Sequence, residues 1–254
     1  IIQMQCDKIT SIPQVLGIGF SAGIVPYMTI ALEKKDYKEL QKNVRECLDT
    51  VLYIALPICF VMFVLARPVY FLMYGGANLD YGEDALRWSS FLGLATTITP
   101  ICSSMMMTLH LRKQSIFYLF VGFIVKCVSF YPLIRYTGYS GAITSSVLCS
   151  AAIIYLCLAK ISNKFDVNYT LTLKRMAKMF LCCLCMNGGF VVLRMIGFTF
   201  SETSRGIALL QMAVYGVIGV LIYAYTTYKM KLPQTIFHIN SFRDLFRRIL
   251  RRGH

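Results

Sequence analysis

An apolar run from Ile116 to Tyr136, IFYLFVGFIVKCVSFYPLIRY, is long enough to cross a bilayer, which takes roughly 20 residues. Such a run must satisfy its own backbone polar groups, so it predicts a helix. Lys126 stands in its middle. An ammonium at that depth costs about 2.5–3.5 kcal/mol, so a residue of this kind usually faces a bundle interior or a watery cavity. Gly122 and Ser129 lie one turn to either side, and small side chains beside a lysine leave room for water. Thr137 to Gly141 then predicts a tight turn, and a second apolar span begins at once. A membrane hairpin carrying one internal cation restricts the fold more than any other stretch.

The rest of the chain agrees with a membrane protein. Of its 254 residues 57% are hydrophobic, the mean hydropathy is +0.60, and only 15% are charged. A soluble domain carries about 25% charged residues. A membrane β-barrel would show short alternating segments, and none is seen. The predicted fold is all-α, a polytopic membrane helix bundle of about seven transmembrane helices, with spans near 9–32, 48–66, 88–109, 116–136, 139–159, 176–197 and 206–228. Residues 1–228 form the transmembrane lobe, and 229–254 form a basic amphipathic tail. Gly19 and Gly23 predict a close helix approach, and Pro13 and Pro26 predict bends or ends in the first span. The stretch EKKDYKELQKNVREC, with Tyr37, Leu40, Val44 and Cys47 at helical spacing, predicts a helix lying on the membrane surface. RPVYFLMYGGANLDYGEDALRW, with glycines around Asp80, Glu83 and Asp84, predicts a loop.

The net charge is +14, which in a soluble protein suggests nucleic acid. Here the basic residues flank spans, so no nucleic-acid partner is expected. One set of connections holds Lys34, Lys35, Lys38, Lys42 and Arg45, then Arg112 and Lys113, then Lys160, Lys164, Lys174 and Arg175, and finally the tail. The other set holds only Lys8, Arg67, Arg87, Arg135 and Arg205. The asymmetry alternates over all the spans and predicts a cytoplasmic C-terminus in a multi-pass cell-membrane protein. In the tail SFRDLFRRILRRGH, an apolar face from Phe242 to Leu250 opposes five arginines, which predicts contact with an anionic inner leaflet.

Motifs for covalent chemistry are missing. Cys182-Cys183-x-Cys185 lacks a nearby histidine and zinc-site spacing, and most of the ten cysteines lie in apolar spans where they pack as small hydrophobes. Met105, Met106 and Met107 point in different directions on a helix, so with His110 they predict packing rather than a soft-metal site. His238 and His254 stand in the tail without partners. There is no glycine-rich phosphate loop and no nucleophile with a neighbouring base. No enzyme activity, cofactor or metal is expected.

Three stretches resemble one family in their order. IVPYMTIALEKKDYKEL resembles the proline, apolar run and charged helix after its eighth helix, and LARPVYFLMYGG the segment after its ninth. FVGFIVKCVSFYPLIRYTGYSGAITSSV resembles its eleventh-to-twelfth hairpin. The family is the multidrug/oligosaccharidyl-lipid/polysaccharide exporter superfamily, in its polysaccharide-biosynthesis, stage V sporulation protein B and lipid II flippase branch. The resemblance implies the C-terminal half of a fourteen-helix transporter, with an N-terminal lobe absent from this chain. The implied function is flipping a polyprenyl-linked saccharide or peptidoglycan precursor by alternating access, the sixth and seventh spans forming a groove for the lipid tail. Lys126 would attract a pyrophosphate or charged sugar; its other reading is a packed cation held by backbone carbonyls. Arg194, toward the end of the sixth span, would sit near a lipid phosphate or snorkel to the interface. The competing functions are a drug or cation exporter of the same superfamily, and a membrane glycosyltransferase or acyltransferase using Asp80, Glu83 and Asp84.

Overall fold

A computed structural model describes residues 2–76, 78–197, 200 and 205–237. Most of these are helical: α1 (Ile2–Glu33), α2 (Tyr37–Val64), α3 (Ala66–Tyr74), α4 (Leu79–Thr108), α5 (Arg112–Thr137), α6 (Tyr139–Phe165), α7 (Thr170–Met195), α8 (Arg205–Lys229) and α9 (Leu232–Phe237), joined by short connections. The protein is an all-α bundle, and among the described residues six helices, α2 and α4 to α8, are long and apolar enough to cross a membrane. The tail helix expected after Ser241, with His238 and His254, lies outside the described residues.

Pro13 and Pro26 lie inside α1 without ending it, as Pro57, Pro100 and Pro132 do in α2, α4 and α5. Each removes one backbone hydrogen bond, and neighbouring helices in a bundle compensate for the loss. The close approach expected at Gly19 and Gly23 is not made, since a Cβ at either would meet nothing within 4 Å. It occurs instead at Gly17, where a Cβ would stand 2.5 Å from Thr97 of α4.

The stretch expected on the membrane surface is the first part of α2. Nothing breaks the helix between Cys47 and Leu48, and Asp36 caps its start by accepting from the Glu39 N–H at 3.1 Å. Leu40, Val44 and Cys47 are fully buried in a core cluster with Met28, Ala31, Ile101 and Phe165. The amphipathic face therefore packs on protein. Likewise, the loop expected between Arg67 and Trp88 is mostly helix. α3 ends at Gly75 (φ +82°), and α4 starts after Asn78 (φ +56°). Asp80, Glu83 and Asp84 fall in the first turns of α4, where the helix dipole favours negative charge. Gly82 permits the contact between α3 and α4: a Cβ there would stand 2.2 Å from the Tyr70 ring.

The hairpin forms as expected. α5 passes into α6 through the single residue Gly138, whose φ of +61° and ψ of −133° suit glycine alone. α5 packs on α6, α6 on α4, and α1 and α2 on α4, while α7 packs on α8 and α2.

The basic connections collect at one end of the bundle. There the Gln41 amide donates to the Phe165 carbonyl at 2.8 Å, and Leu40, Leu109, Leu111, Phe165 and Val167 share one core cluster. At the opposite end, the Tyr70 hydroxyl donates to Gln5 Oε1 at 2.8 Å, the Tyr74 hydroxyl to the Gln5 carbonyl at 3.1 Å, and the Tyr139 hydroxyl to Gln3 Oε1.

Candidate functional site

Lys126 sits on the side of α5 that meets α6. Gly122, one turn before it, is buried against Ile153 of α6. Lys126 itself is half-buried. Among the described residues no carboxylate pairs with it. Ser129 donates its hydroxyl proton back to the Val125 carbonyl at 2.7 Å. The room for water expected at Gly122 is absent, because Ile153 fills it: a Cβ on Gly122 would stand 2.4 Å from Ile153 Cγ1.

Arg194 is exposed in the last turn of α7. The structure does not bring it together with Lys126, since α5 packs on α6 and α4 while α7 packs on α8 and α2. Of the acidic residues, Asp80 accepts from Arg67 at 3.0 Å, and Glu83 accepts from Arg67 at 3.1 Å and pairs with Arg87 at 2.6 Å. Asp84 remains exposed, without an ion pair among the described residues. Met105 and Met106 are fully buried in the core, as are Cys182 and Cys183, whereas Met107 and Cys185 are exposed.

The bundle holds an apolar groove of about 490 Å³ between α2, α4 and α7. Its walls include Leu56, Phe60 and Phe63 of α2, Phe91 and Leu94 of α4, and Phe180 of α7. Phe60 and Phe180 meet edge to face, with ring centroids 6.3 Å apart. Its walls come from α2, α4 and α7, and no residue of α8 lines it.

Two turns from Leu56, on the same face of α2, lies Asp49. It is fully buried and accepts from the Arg175 guanidinium of α7, and its second oxygen, Oδ1, has no hydrogen-bond partner. Thr172, one turn before Arg175, also buries its hydroxyl without a partner. Tyr169, in the 166–169 connection, does the same, and burial pushes its phenol up. This ionic joint between α2 and α7 escaped the sequence reading. An aspartate at the margin of an apolar run shows nothing of a partner 126 residues away. Its one local signal was an acid beside the span in ECLDTVLY.

Comparison with known proteins agrees with the helix order and the spans. The MatE family matches residues 5–131, from the start of α1 to within α5. The chain is also 22% identical over 240 residues to the lipid II flippase MurJ of Bacillus subtilis (strain 168), an alignment that covers 93% of this chain and 44% of that protein. The chain therefore spans less than half the length of this relative. A bundle of apolar helices carrying this match is a multi-pass membrane protein, and the chain belongs to the MatE family of the multidrug/oligosaccharidyl-lipid/polysaccharide exporter superfamily.

Proposed function

We propose that this chain is one lobe of a flippase that moves a polyprenyl-linked saccharide or peptidoglycan precursor across the cell membrane. A second, N-terminal lobe would complete it. The observation that carries the reading is the α2–α4–α7 groove, whose walls are almost wholly apolar and which suits a hydrocarbon chain. The similarity to a lipid II flippase supports the same substrate class. Alternating access, with two lobes rocking about a central site, would carry the head group across, driven by a membrane potential or ion gradient. Lys126, half-buried and without a carboxylate partner among the described residues, would attract the pyrophosphate; Arg194 would lie at the lipid interface.

Two competing functions have less support. A cation exporter of this superfamily would use intramembrane acids, but buried Asp49 is already neutralised by Arg175. A transferase built on Asp80, Glu83 and Asp84 would need a set of free carboxylates, and arginines hold Asp80 and Glu83, which leaves Asp84 alone without an ion pair among the described residues.

Filling the groove tests the reading. Leu94→Trp with Ala177→Phe, in a protein containing both lobes, is expected to slow flipping of a long-chain substrate about tenfold or more. Each methylene kept from the groove forfeits about 0.8 kcal/mol, so a few suffice. A short-chain analogue is expected to be spared. Equal slowing of both, or of neither, would sink the groove's role.

We also place the basic end, and with it the C-terminus, in the cytoplasm. A Gly253→Cys variant in intact cells is expected to react with an impermeant maleimide only after permeabilisation. Ready labelling from outside would reverse the orientation.

A further inference from the structure

The end of the bundle opposite the basic connections carries two adjoining recesses, of about 450 and 480 Å³, that share Ile2 and Tyr139. One is walled by Gln3, Gln5, Tyr70, Tyr74 and Asn78. The other is walled by Tyr81, Asp84, Trp88, Thr137 and Ser140. The lining thus combines aromatic rings, amides, hydroxyls and one carboxylate.

The first recess is held in shape by its own hydrogen bonds. Gln5 accepts from Tyr70 through its side chain and from Tyr74 through its backbone, while Gln3 accepts from Tyr139 and donates to Asp7 at 2.8 Å. In the second recess Asp84 and the Tyr81 hydroxyl are exposed and make no hydrogen bond among the described residues, while the Thr137 and Ser140 hydroxyls donate to the Leu133 and Thr137 carbonyls at 2.8 and 2.9 Å. Tyr81, Asp84 and Trp88 lie at i, i+3 and i+7 on α4, so one helix face presents a phenol, a carboxylate and an indole. Arg67 and Arg87 are engaged with Asp80 and Glu83, which leaves Asp84 as the acid of this turn without a cation.

We infer that the second recess binds a sugar ring, with Trp88 and Tyr139 against its C–H face and Asp84 accepting from its hydroxyls. A pyranose has an apolar face and a rim of hydroxyls. Aromatic side chains offer it an apolar body with a polar tip, and an ionised carboxylate can accept several O–H bonds at once. The Tyr81 hydroxyl can both donate and accept, while Thr137 and Ser140, whose protons go to backbone carbonyls, offer acceptor lone pairs to further sugar hydroxyls. Tryptophan and tyrosine also populate membrane interfaces as lipid anchors, but here the rings border a recess that also contains Asp84, Thr137 and Ser140 beside Ile2. The inference extends the flippase reading by naming a place for the saccharide part of its substrate. Thr137, the α5 residue of the recess, lies 11 residues beyond Lys126, roughly 16 Å at the helical rise, so the two sites can be tested separately.

Trp88 is the sole tryptophan of the chain, which makes it a built-in reporter. The purified chain, in a detergent without a sugar head group, is titrated with methyl β-glucoside and with methyl N-acetyl-β-glucosaminide. Choline and glycerol serve as comparators. A saturable change in Trp88 emission is expected with at least one glycoside and with neither comparator. Asp84→Ala is expected to weaken the apparent affinity about tenfold or more, since a charge-assisted hydrogen bond is lost. Asp84 is exposed, so the substitution leaves the fold intact. Equilibrium dialysis with labelled glycoside repeats the measurement without the reporter. No glycoside binding by either method, an undiminished affinity in Asp84→Ala, or a choline response matching the sugars would overturn the proposal. Binding is read without transport, so its failure leaves the flippase reading standing. A Lys126→Ala variant that no longer flips would still bind the sugar.

Discussion

Replacing Lys126 by alanine, in a protein containing both lobes of the proposed flippase, is expected to cut flipping by about 10- to 100-fold or more while leaving the amount of protein in the membrane unchanged. The expected loss corresponds to one charge-assisted interaction with a phosphate. The unchanged abundance follows from the surroundings of the residue. Lys126 has no carboxylate partner among the described residues, so its removal leaves no buried opposite charge behind. A lysine in a span is itself a burden of about 2.5–3.5 kcal/mol, and alanine removes that burden. The helix contact beneath it is made by Gly122 and Ile153 and stays intact. Lys126→Arg keeps the charge with a different geometry and is expected to retain part of the activity. The decisive variant is Lys126→Met, which keeps the length and loses the charge. Normal transport by that variant would make Lys126 a packed cation and move the charge of the cavity to the other lobe.

The second large effect belongs to the joint between Asp49 and Arg175. Removing one partner of a buried pair leaves the other charge uncompensated, at a cost of about 3–5 kcal/mol. The two single variants are expected to differ. Arg175→Leu strands an aspartate that is fully buried and too short to reach water. Asp49→Leu strands an arginine that is 24% exposed and can swing its guanidinium to the interface. The first is therefore expected to lower the thermal midpoint more than the second. Asp49→Leu with Arg175→Leu is expected to recover most of the loss, because two apolar side chains replace the pair without stranding either charge. Thermal unfolding of the four proteins in one detergent gives the cycle. Additive losses in the double variant would show that the two residues act independently.

What the sequence disclosed, and what it withheld, follows from the range over which each feature is encoded. The hairpin was legible because its signals are local: an uninterrupted apolar run, then a glycine at the one position with φ near +61°. The alternation of lysine and arginine likewise matched a structure whose basic connections gather at one end. The stretch from Tyr37 to Cys47 was misplaced because an amphipathic face looks the same whether it meets lipid or protein. Only the buried neighbours Ala31 and Phe165 decide between them. The segment from Arg67 to Trp88 reads as a loop because glycine and aspartate signal turns. In the structure Gly82 is instead the point where Tyr70 crosses α4. The groove walls, the Asp49–Arg175 joint and the paired recesses join residues from distant parts of the chain, and no periodicity within one helix announces such meetings.

The single-residue link at Gly138 also limits how the lobe can move. With one residue between them, α5 and α6 cannot slide along each other by a helical turn or rotate independently, because no slack exists to absorb the displacement. Gly141 tightens the constraint, since its backbone lies so close to Leu133 that an added Cβ would stand 2.3 Å from that carbonyl oxygen. Any motion that carries Lys126 from one face of the membrane toward the other must therefore take α6 with it. In the proposed alternating access, the smallest part that could move on this side of the protein would be the whole hairpin, levered against α4.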